Sequence, residues 1–213
     1  MVVVDLSASL VGSLSLPGTD LFGLSPGGDG GVWAADVATN SIIRYTFFGG
    51  GGVNDTSTHT VPTPNGQPRQ IVWCQALGFA FATEFNAIPI VRAFFSGSSV
   101  SASNVAQTPS GPAAGVACGA DGIWYTVPTT NKIGRITAAG VLQEWDVPTP
   151  ASTVYGLVVA LDGSIWFAEN GTGKIGRLRV NPPGDVNGDG QVSVADVFYT
   201  INFLFAGGPA PVP

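Results

Sequence analysis

Ionisable side chains are scarce in this 213-residue chain, and basic ones are the scarcest. Only 10% of the residues are charged, with 8 Lys and Arg against 14 Asp and Glu, whereas an average soluble protein has about 25%. The net charge is −6, so the chain has no basic surface with which to neutralise phosphates. We therefore expect no nucleic-acid partner.

Long apolar runs are also missing. No run reaches the ~18 residues that a membrane-spanning helix needs, and the sequence predicts no membrane span. The N-terminal residues MVVVDLSASLVG lack the basic region and the small-residue cleavage site of a signal peptide. If the protein is secreted, the export signal is not in these residues.

Glycine and proline are abundant, with 30 and 16 residues, which is typical of many turns between short strands. The sequence also contains four copies of one unit. The aromatic landmarks of the copies are Trp33, Phe81, Trp124 and Trp166, which are separated by 48, 43 and 42 residues. Four arginines, Arg44, Arg92, Arg135 and Arg177, keep the same separations. Two independent landmarks with one period indicate a true internal repeat.

Each copy has the pattern of short antiparallel strands joined by tight turns. In the last copy an apolar run leads to Asp162-Gly163, a dipeptide typical of hairpin turns, and two further strands follow. The third copy has a fourth strand, which Pro148 ends. Four strands per ~42 residues predict an all-β, β-propeller-like array of about four four-stranded blades over residues 1–180.

The motifs DGSIWFAEN, NKIGRIT and GVLQEWDVPTP resemble the repeats of the virginiamycin B lyase family, which inactivates streptogramins. The resemblance covers residues 25–180 and implies a seven-bladed propeller, of which four units are present here. Two interpretations of its closure stay open. Either an N-terminal strand or self-association completes the ring, or the chain is a fragment of a longer propeller.

A different composition begins after residue 180, and residues 181–213 are predicted to form a separate calcium-binding segment. Acidic and amide oxygens fall at loop positions 1, 3, 5 and 12, and glycine falls at position 6, where such loops turn sharply. Ca²⁺ is a hard cation that prefers these ligands. The predicted ligands are Asp185, Asn187, Asp189, the Gln191 carbonyl and Asp196.

The segment resembles a single type I dockerin repeat, in which a calcium loop is followed by one exit helix. Pro182-Pro183-Gly184 excludes an entering helix, whereas apolar residues recur at helical spacing after the loop and end at Gly207. We expect Val197, Phe198, Ile201 and Phe205 to pack on the last blade, on a second chain or on a cohesin-like partner.

Candidate catalytic residues are few. The resemblance implies a His with Glu partners and magnesium, but His59, the single histidine, falls on an outer strand with no nearby Glu. We predict that His59 has no catalytic role and name no catalytic residue. Asp36, Glu84 and Glu169 occupy equivalent positions after the second strands. They either bind a cation or sugar hydroxyls or accept hydrogen bonds within their loops.

The repeated arginines and the two cysteines are assigned structural roles. One arginine in every blade suits contacts between neighbouring strands. Cys74 and Cys118 lie at equivalent places in adjacent copies, which predicts neighbouring inner strands, and buried free thiols are favoured there over a disulfide.

Two hypotheses about function follow. The first is a secreted or cell-surface binding module, docked to a scaffold through the calcium segment. The second is an enzyme, either a streptogramin-type C–O lyase or an accessory subunit of a polysaccharide-degrading complex.

Overall fold

A computed structural model describes residues 2–4, 10–13, 19–28, 30–47, 53–96, 99–180, 184–188 and 192–211. The described residues form seventeen β-strands in five antiparallel sheets and one helix. Three sheets have four strands and one has three, and each is a propeller blade that matches one sequence repeat. The predicted all-β fold is confirmed.

The blades follow the chain without crossovers, from the innermost strand outward. Blade 1 contains β3 (Leu21–Pro26), β4 (Val32–Asp36), β5 (Ser41–Phe47) and β6 (Val53–Thr60). Blade 2 contains β7 (Pro68–Cys74), β8 (Phe79–Glu84), β9 (Ile90–Ser96) and β10 (Ser99–Asn104). Blade 3 contains β11 (Val116–Cys118), β12 (Gly122–Val127), β13 (Lys132–Thr137) and β14 (Leu142–Asp146).

Blade 4 has three strands: β15 (Val154–Val159), β16 (Ile165–Glu169) and β17 (Lys174–Leu178). A separate N-terminal hairpin pairs β1 (Val2–Val4) with β2 (Leu10–Ser13). Among the described residues β1 and β2 pair with each other and β17 pairs only with β16, so no described N-terminal strand fills the fourth place of blade 4. The interpretation in which such a strand closes the ring is not observed.

The hydrophobic core lies between the blades. Trp33 and Ile42 of blade 1 pack on blade 2, Phe81 and Ile90 of blade 2 pack on blade 3, and Trp124 and Ile133 of blade 3 pack on blade 4. All six side chains are at most 5% exposed. The repeat's aromatic landmark and the Ile two residues before its arginine are therefore the contacts that bury one blade against the next.

The arginine landmarks stabilise strands within and between the blades. Arg135 donates hydrogen bonds to Asp121 and Gln143 across blade 3, and Arg177 donates to Asp162 in blade 4. The Arg44 guanidinium lies 4.0 Å from the centre of the Phe95 ring in the neighbouring blade. Their predicted structural role is confirmed.

Cys74 and Cys118 form a disulfide that joins blade 2 to blade 3. The prediction placed them correctly on adjacent inner strands, β7 and β11, but the expectation of free thiols is wrong. Packing of β11 against β7 brings the two Cα atoms to 5.1 Å, within the range that a disulfide can bridge.

After the blades, α1 spans Val194–Ala206, as predicted. Ser193 is its N-cap in a capping box with Asp196, and Gly207 ends it with a left-handed φ of 70°. The apolar residues Val197, Phe198, Ile201 and Phe205 are 46–82% exposed, so the helix is not packed on the last blade. Among the described residues no helix has the length and hydropathy needed to cross a membrane.

Candidate ligand-binding cavity and calcium loop

The four inner strands begin at the same end of the array. Residues at their starts pair with the ends of the second strands, as in Leu21 with Asp36, Pro68 with Glu84 and Val154 with Glu169. The three acidic residues therefore mark one face of the propeller, which we call the acidic face. Their placement at corresponding ends of three blades matches the sequence alignment.

A cavity of about 340 Å³ opens at the acidic face. One equivalent position in every blade lines it, namely the residue three places before the inner-strand partner of the aromatic landmark. These four residues are Phe22, Arg69, Ala114 and Tyr155. This position holds a different residue in each blade.

Arg69 is the charged group of the cavity lining. Its guanidinium carbon lies 3.6 Å from the centre of the Phe85 ring and 5.0 Å from that of Phe22, so the two rings fix its orientation. The Arg69 Nε atom is buried and has no hydrogen-bond partner in the described part of the chain. Buried donors are usually satisfied, and this Nε is an exception.

Two threonines hold the walls of the cavity together. The Thr83 hydroxyl of β8 donates to the Ala114 carbonyl at 2.9 Å, and the Thr126 hydroxyl of β12 donates to the Tyr155 carbonyl at 2.6 Å. The first bond ties β8 to the residues just before β11, and the second ties β12 to β15. These hydrogen bonds between blades hold the cavity walls, which favours a preformed site.

The three predicted acidic residues are buried in their own loops, and none of them lines the cavity. Asp36 accepts hydrogen bonds from the Asp20, Ala38 and Thr39 amides and from the Thr39 hydroxyl. Glu169 accepts one from the Thr172 hydroxyl at 3.2 Å. These contacts match the loop-stabilising alternative of the prediction.

Glu84 differs from the other two. It is fully buried, and neither carboxylate oxygen has a hydrogen-bond partner among the described residues. Burial raises the pKa of Glu84 from 4.5 to about 7, and the nearby Thr63 hydroxyl opposes this without reaching hydrogen-bond geometry. Glu84 is therefore partly protonated at neutral pH.

His59 lies on β6, the outer strand of blade 1, opposite Ile42. It is half-buried and lies on the strand furthest from the cavity, which the inner strands line. The predicted outer-strand position is confirmed.

The predicted calcium loop is described in part, because Asp189 and Gln191 lie outside the described residues. The Asp196 carboxylate accepts hydrogen bonds from the Val186 and Asn187 amides at 3.0 and 3.3 Å. Asp185 and Asp196 are only 3% and 4% exposed. The carboxylate at loop position 12 therefore lies against the backbone of loop positions 2 and 3.

Backbone hydrogen bonds also explain the position of Asp196. The Ser193 amide donates to its carboxylate at 2.7 Å, which is the capping-box contact of α1, and this bond lowers the pKa of Asp196. No cluster of three or more His, Cys, Asp or Glu suited to a metal occurs within the described ranges. The full ligand set stays a prediction.

Comparisons with known proteins agree with the repeat and the fold. The model of the virginiamycin B lyase family matches residues 11–188. The chain belongs to this family. A virginiamycin B lyase from Nocardia farcinica is 28% identical over 144 residues, which are 68% of this chain and 48% of that protein.

Solved structures of the family superpose on most of the chain. The catalytically inactive H270A virginiamycin B lyase from Staphylococcus aureus, in complex with quinupristin, is 26% identical with a TM-score of 0.66. It matches 86% of this chain and 64% of its own. A streptogramin B lyase is 25% identical with a TM-score of 0.62, over 81% of this chain and 58% of its own. The chain thus spans about half to two thirds of the length of these relatives.

The sequence did not identify the cavity residues. Phe22, Arg69 and Tyr155 belong to no motif, and the stretches between this position and the aromatic landmark differ by one residue in blades 2 and 3. An alignment of the four copies in the structural register would have brought these positions together.

Proposed function

We propose that this chain is a ligand-binding propeller module, and that its binding site is the cavity at the acidic face. The observation that carries this proposal is the convergence of one variable residue from each of four blades on a preformed apolar cavity. Aromatic rings and one oriented guanidinium suit a largely apolar ligand with a carbonyl or carboxylate acceptor. The family membership supports a ligand of the streptogramin type as the first to test.

Quinupristin, which the Staphylococcus aureus relative binds, is the probe. Isothermal titration should show saturable binding to the wild-type chain, and Arg69→Ala should weaken it about tenfold through loss of an oriented donor. Arg179→Ala is the matched control, because Arg179 is exposed and does not line the cavity. Equal affinities for the wild type and Arg69→Ala would refute the cavity as the site.

A second candidate is streptogramin-lyase activity, which the similarity to two streptogramin-directed lyases supports. The position of His59 on an outer strand does not favour it, and we expect no ring opening by this chain. Chromatography of quinupristin after incubation tests this expectation. Ring opening that is lost in His59→Ala would contradict it.

We propose further that the C-terminal segment is a dockerin-type calcium site. Asp185, Asn187, Asp189, the Gln191 carbonyl and Asp196 would hold Ca²⁺, which would fix the loop that precedes α1. The burial of Asp185 and Asp196, and the contact of the Asp196 carboxylate with the Asn187 amide, support this. The exposed apolar side of α1 supports a cohesin-like scaffold as its partner.

Calcium titration of the full chain tests the site. The wild type should bind Ca²⁺ in the range of about 10⁻⁹ to 10⁻³ M that such loops cover, and Asp185→Ala should abolish binding. Asp162→Ala, an acidic substitution in a blade turn, is the control. Absence of binding heat at millimolar Ca²⁺ would refute the site.

A secreted or cell-surface location is part of the same proposal. The Cys74–Cys118 disulfide supports it, because disulfides persist in oxidising compartments and are rare in the cytosol. Thiol titration of the denatured protein isolated from its source, without reductant, should detect no free thiol. Two free thiols would contradict an oxidising location.

A further inference from the structure

Blade 2 departs from the repeat at the turn between its first two strands. In sequence, the other three copies have an aspartate at this turn, three or four residues before the aromatic landmark, namely Asp29, Asp121 and Asp162. The turn of blade 2 reads Gln75-Ala76-Leu77-Gly78 and contains no acid. Blade 2 therefore keeps the landmark arginine but lacks the carboxylate that accompanies it in the repeat.

Blades 3 and 4 show what this carboxylate does. In blade 3 a terminal nitrogen of the Arg135 guanidinium lies 2.6 Å from the Asp121 carboxylate. In blade 4 a terminal nitrogen of Arg177 lies 2.7 Å from the Asp162 carboxylate. The turn acid thus forms an ion pair with the landmark arginine of its own blade.

Arg92, the landmark arginine of blade 2, has no such partner. Its Nε atom donates to the Ser103 hydroxyl at 3.1 Å, and its guanidinium carbon lies 5.4 Å from the centre of the Phe79 ring. Its two terminal nitrogens have no hydrogen-bond or ion-pair partner in the described part of the chain. Because Arg92 is exposed, these donors are accessible, and two contacts within blade 2 hold them in place.

A second cavity, of about 330 Å³, opens beside Arg92 between blades 2 and 3, at the end opposite the acidic face. Leu77, Phe79 and Phe81 of blade 2 line one side of it, and Ile136 of blade 3 lines the other. No acidic residue lines it within the described ranges. Both blades have all four strands, so the two blades that bound this cavity are complete.

Two of the lining residues are specific to blade 2. Leu77 takes the place of the turn acid. Phe79 lies two places before the aromatic landmark, where the other copies have glycine or serine. The first exchange leaves the charge of Arg92 without its partner, and both make the wall beside it apolar. The departures of blade 2 from the repeat therefore meet at one place.

We propose that the second cavity binds a small apolar molecule that carries one carboxylate. The carboxylate accepts hydrogen bonds from the terminal nitrogens of Arg92 and so replaces the turn acid that blade 2 lacks. The apolar part of the ligand packs on Leu77, Phe79 and Phe81. An uncharged molecule would leave the guanidinium unpaired, and an ion without an apolar part would leave the wall in contact with water. This site is separate from the cavity at the acidic face and from the calcium segment.

Octanoate is the probe, and the side-chain Nε–H resonance of Arg92 in the isotope-labelled full-length chain is the measurement. The absence of this signal in Arg92→Gln assigns it. We expect a saturable shift of the resonance on titration with octanoate. Octyl alcohol lacks the charge and acetate lacks the apolar chain, and each should bind about tenfold more weakly or worse.

Leu77→Asp restores the acid of the other blades. Its carboxylate should pair with Arg92 and weaken octanoate binding about tenfold or more, because it occupies the same nitrogens and repels the ligand. Leu161→Asp is the matched control, since Leu161 is fully exposed in the corresponding turn of blade 4 and does not line the second cavity. It should leave octanoate affinity unchanged.

Arg92→Gln tests the same contact without a change in the turn. The backbone amide resonances of Ala76 and Ala138, which also line the second cavity, replace the lost side-chain signal. Octanoate affinity measured from them should fall about tenfold. Circular dichroism of each variant establishes that it is folded.

Three outcomes would overturn the proposal. The first is no shift of the Arg92 resonance at millimolar octanoate. The second is an equal affinity for acetate, which would mean adventitious pairing of an ion with an exposed arginine. The third is unchanged octanoate affinity in folded Leu77→Asp or in Arg92→Gln, which would place the ligand elsewhere.

Discussion

Blades 3 and 4 have nearly the same sequence pattern but different surroundings. Trp124 and Ile133 of blade 3 are covered by blade 4, and Trp166 and Ile175, their equivalents, are exposed. Thr126 ties blade 3 to the next inner strand, whereas blade 4 has Ala168 at the equivalent position. The comparison teaches that one repeat sequence supplies the same contacts everywhere, and that a neighbouring blade decides whether they contribute to stability.

The largest expected effect compares the two tryptophans. Trp124→Ala should reduce the free energy of unfolding by about 3–5 kcal/mol, since it leaves a cavity between blades 3 and 4. Trp166→Ala should reduce it by less than about 1 kcal/mol, because Trp166 is already exposed. Urea denaturation measures both. Equal losses would mean that blade 4 is covered in solution.

Removal of the disulfide tests how much the covalent link between blades 2 and 3 contributes to stability. Replacement of Cys74 and Cys118 by Ser should lower the free energy of unfolding by about 2–4 kcal/mol, because the bond closes a long loop in the unfolded chain. Thermal denaturation with and without reductant is the measurement, and the double variant should be insensitive to reductant. If reductant also destabilised the double variant, its effect on the wild type could not be attributed to the Cys74–Cys118 bond.

Glu84 of blade 2 and its equivalent in blade 4 differ in their hydrogen bonds. Thr172 donates to Glu169, whereas the Glu84 carboxylate has no partner among the described residues. Because the pKa of Glu84 is raised from 4.5 to about 7, the folded state keeps a proton that the unfolded chain releases between these values. The free energy of unfolding should therefore fall as pH rises through this window. Glu84→Gln should remove this loss.

At pH 8 the Glu84→Gln variant should be more stable than the wild type by about 1–3 kcal/mol, and at pH 5 the difference should be much smaller. Urea denaturation at the two pH values measures this. A stabilisation of the same size at both pH values would contradict a proton-linked cause.

The smallest expected effect concerns a turn residue with positive φ. Asn131, with φ of 57°, donates from its amide to the Val147 and Thr149 carbonyls at 3.0 and 2.9 Å and accepts from Ser152. Asn131→Gly keeps the allowed backbone but removes these bonds, so it should cost about 1–2 kcal/mol. Gly173 takes the same place in blade 4, where φ is 65°.

Gly173→Asn is the matched exchange, and it should change the free energy of unfolding by no more than about 0.5 kcal/mol, because asparagine tolerates this backbone region. A large stabilisation would indicate that the added amide finds an acceptor on a strand beyond β17.

The fold could be predicted from local sequence patterns. The recurrence of aromatic residues from Trp33 to Trp166 every 42 to 48 residues, with arginines at the same separations, predicted the blades, their strand order and the equivalence of Asp36, Glu84 and Glu169. Helix α1 followed from apolar periodicity and from Gly207. These features depend on strand alternation, turn chemistry and helix capping. Because such interactions join residues that are close in sequence, a single sequence is enough to predict them.

Contacts between blades were decided by the tertiary structure. The Cys74–Cys118 bond requires β7 and β11 to bring the two Cα atoms within bonding distance. A separation of 44 residues in sequence does not predict the distance between these atoms. The cavity combines Phe22, Arg69 and Tyr155 from three blades, and its shape depends on how the blades are inclined to one another. The sequence by itself determined the blade, because a blade is built from neighbours along the chain. The disulfide, the cavity and the uncovered edge of blade 4 depended on which blade lies beside which, and only the packed array determines that.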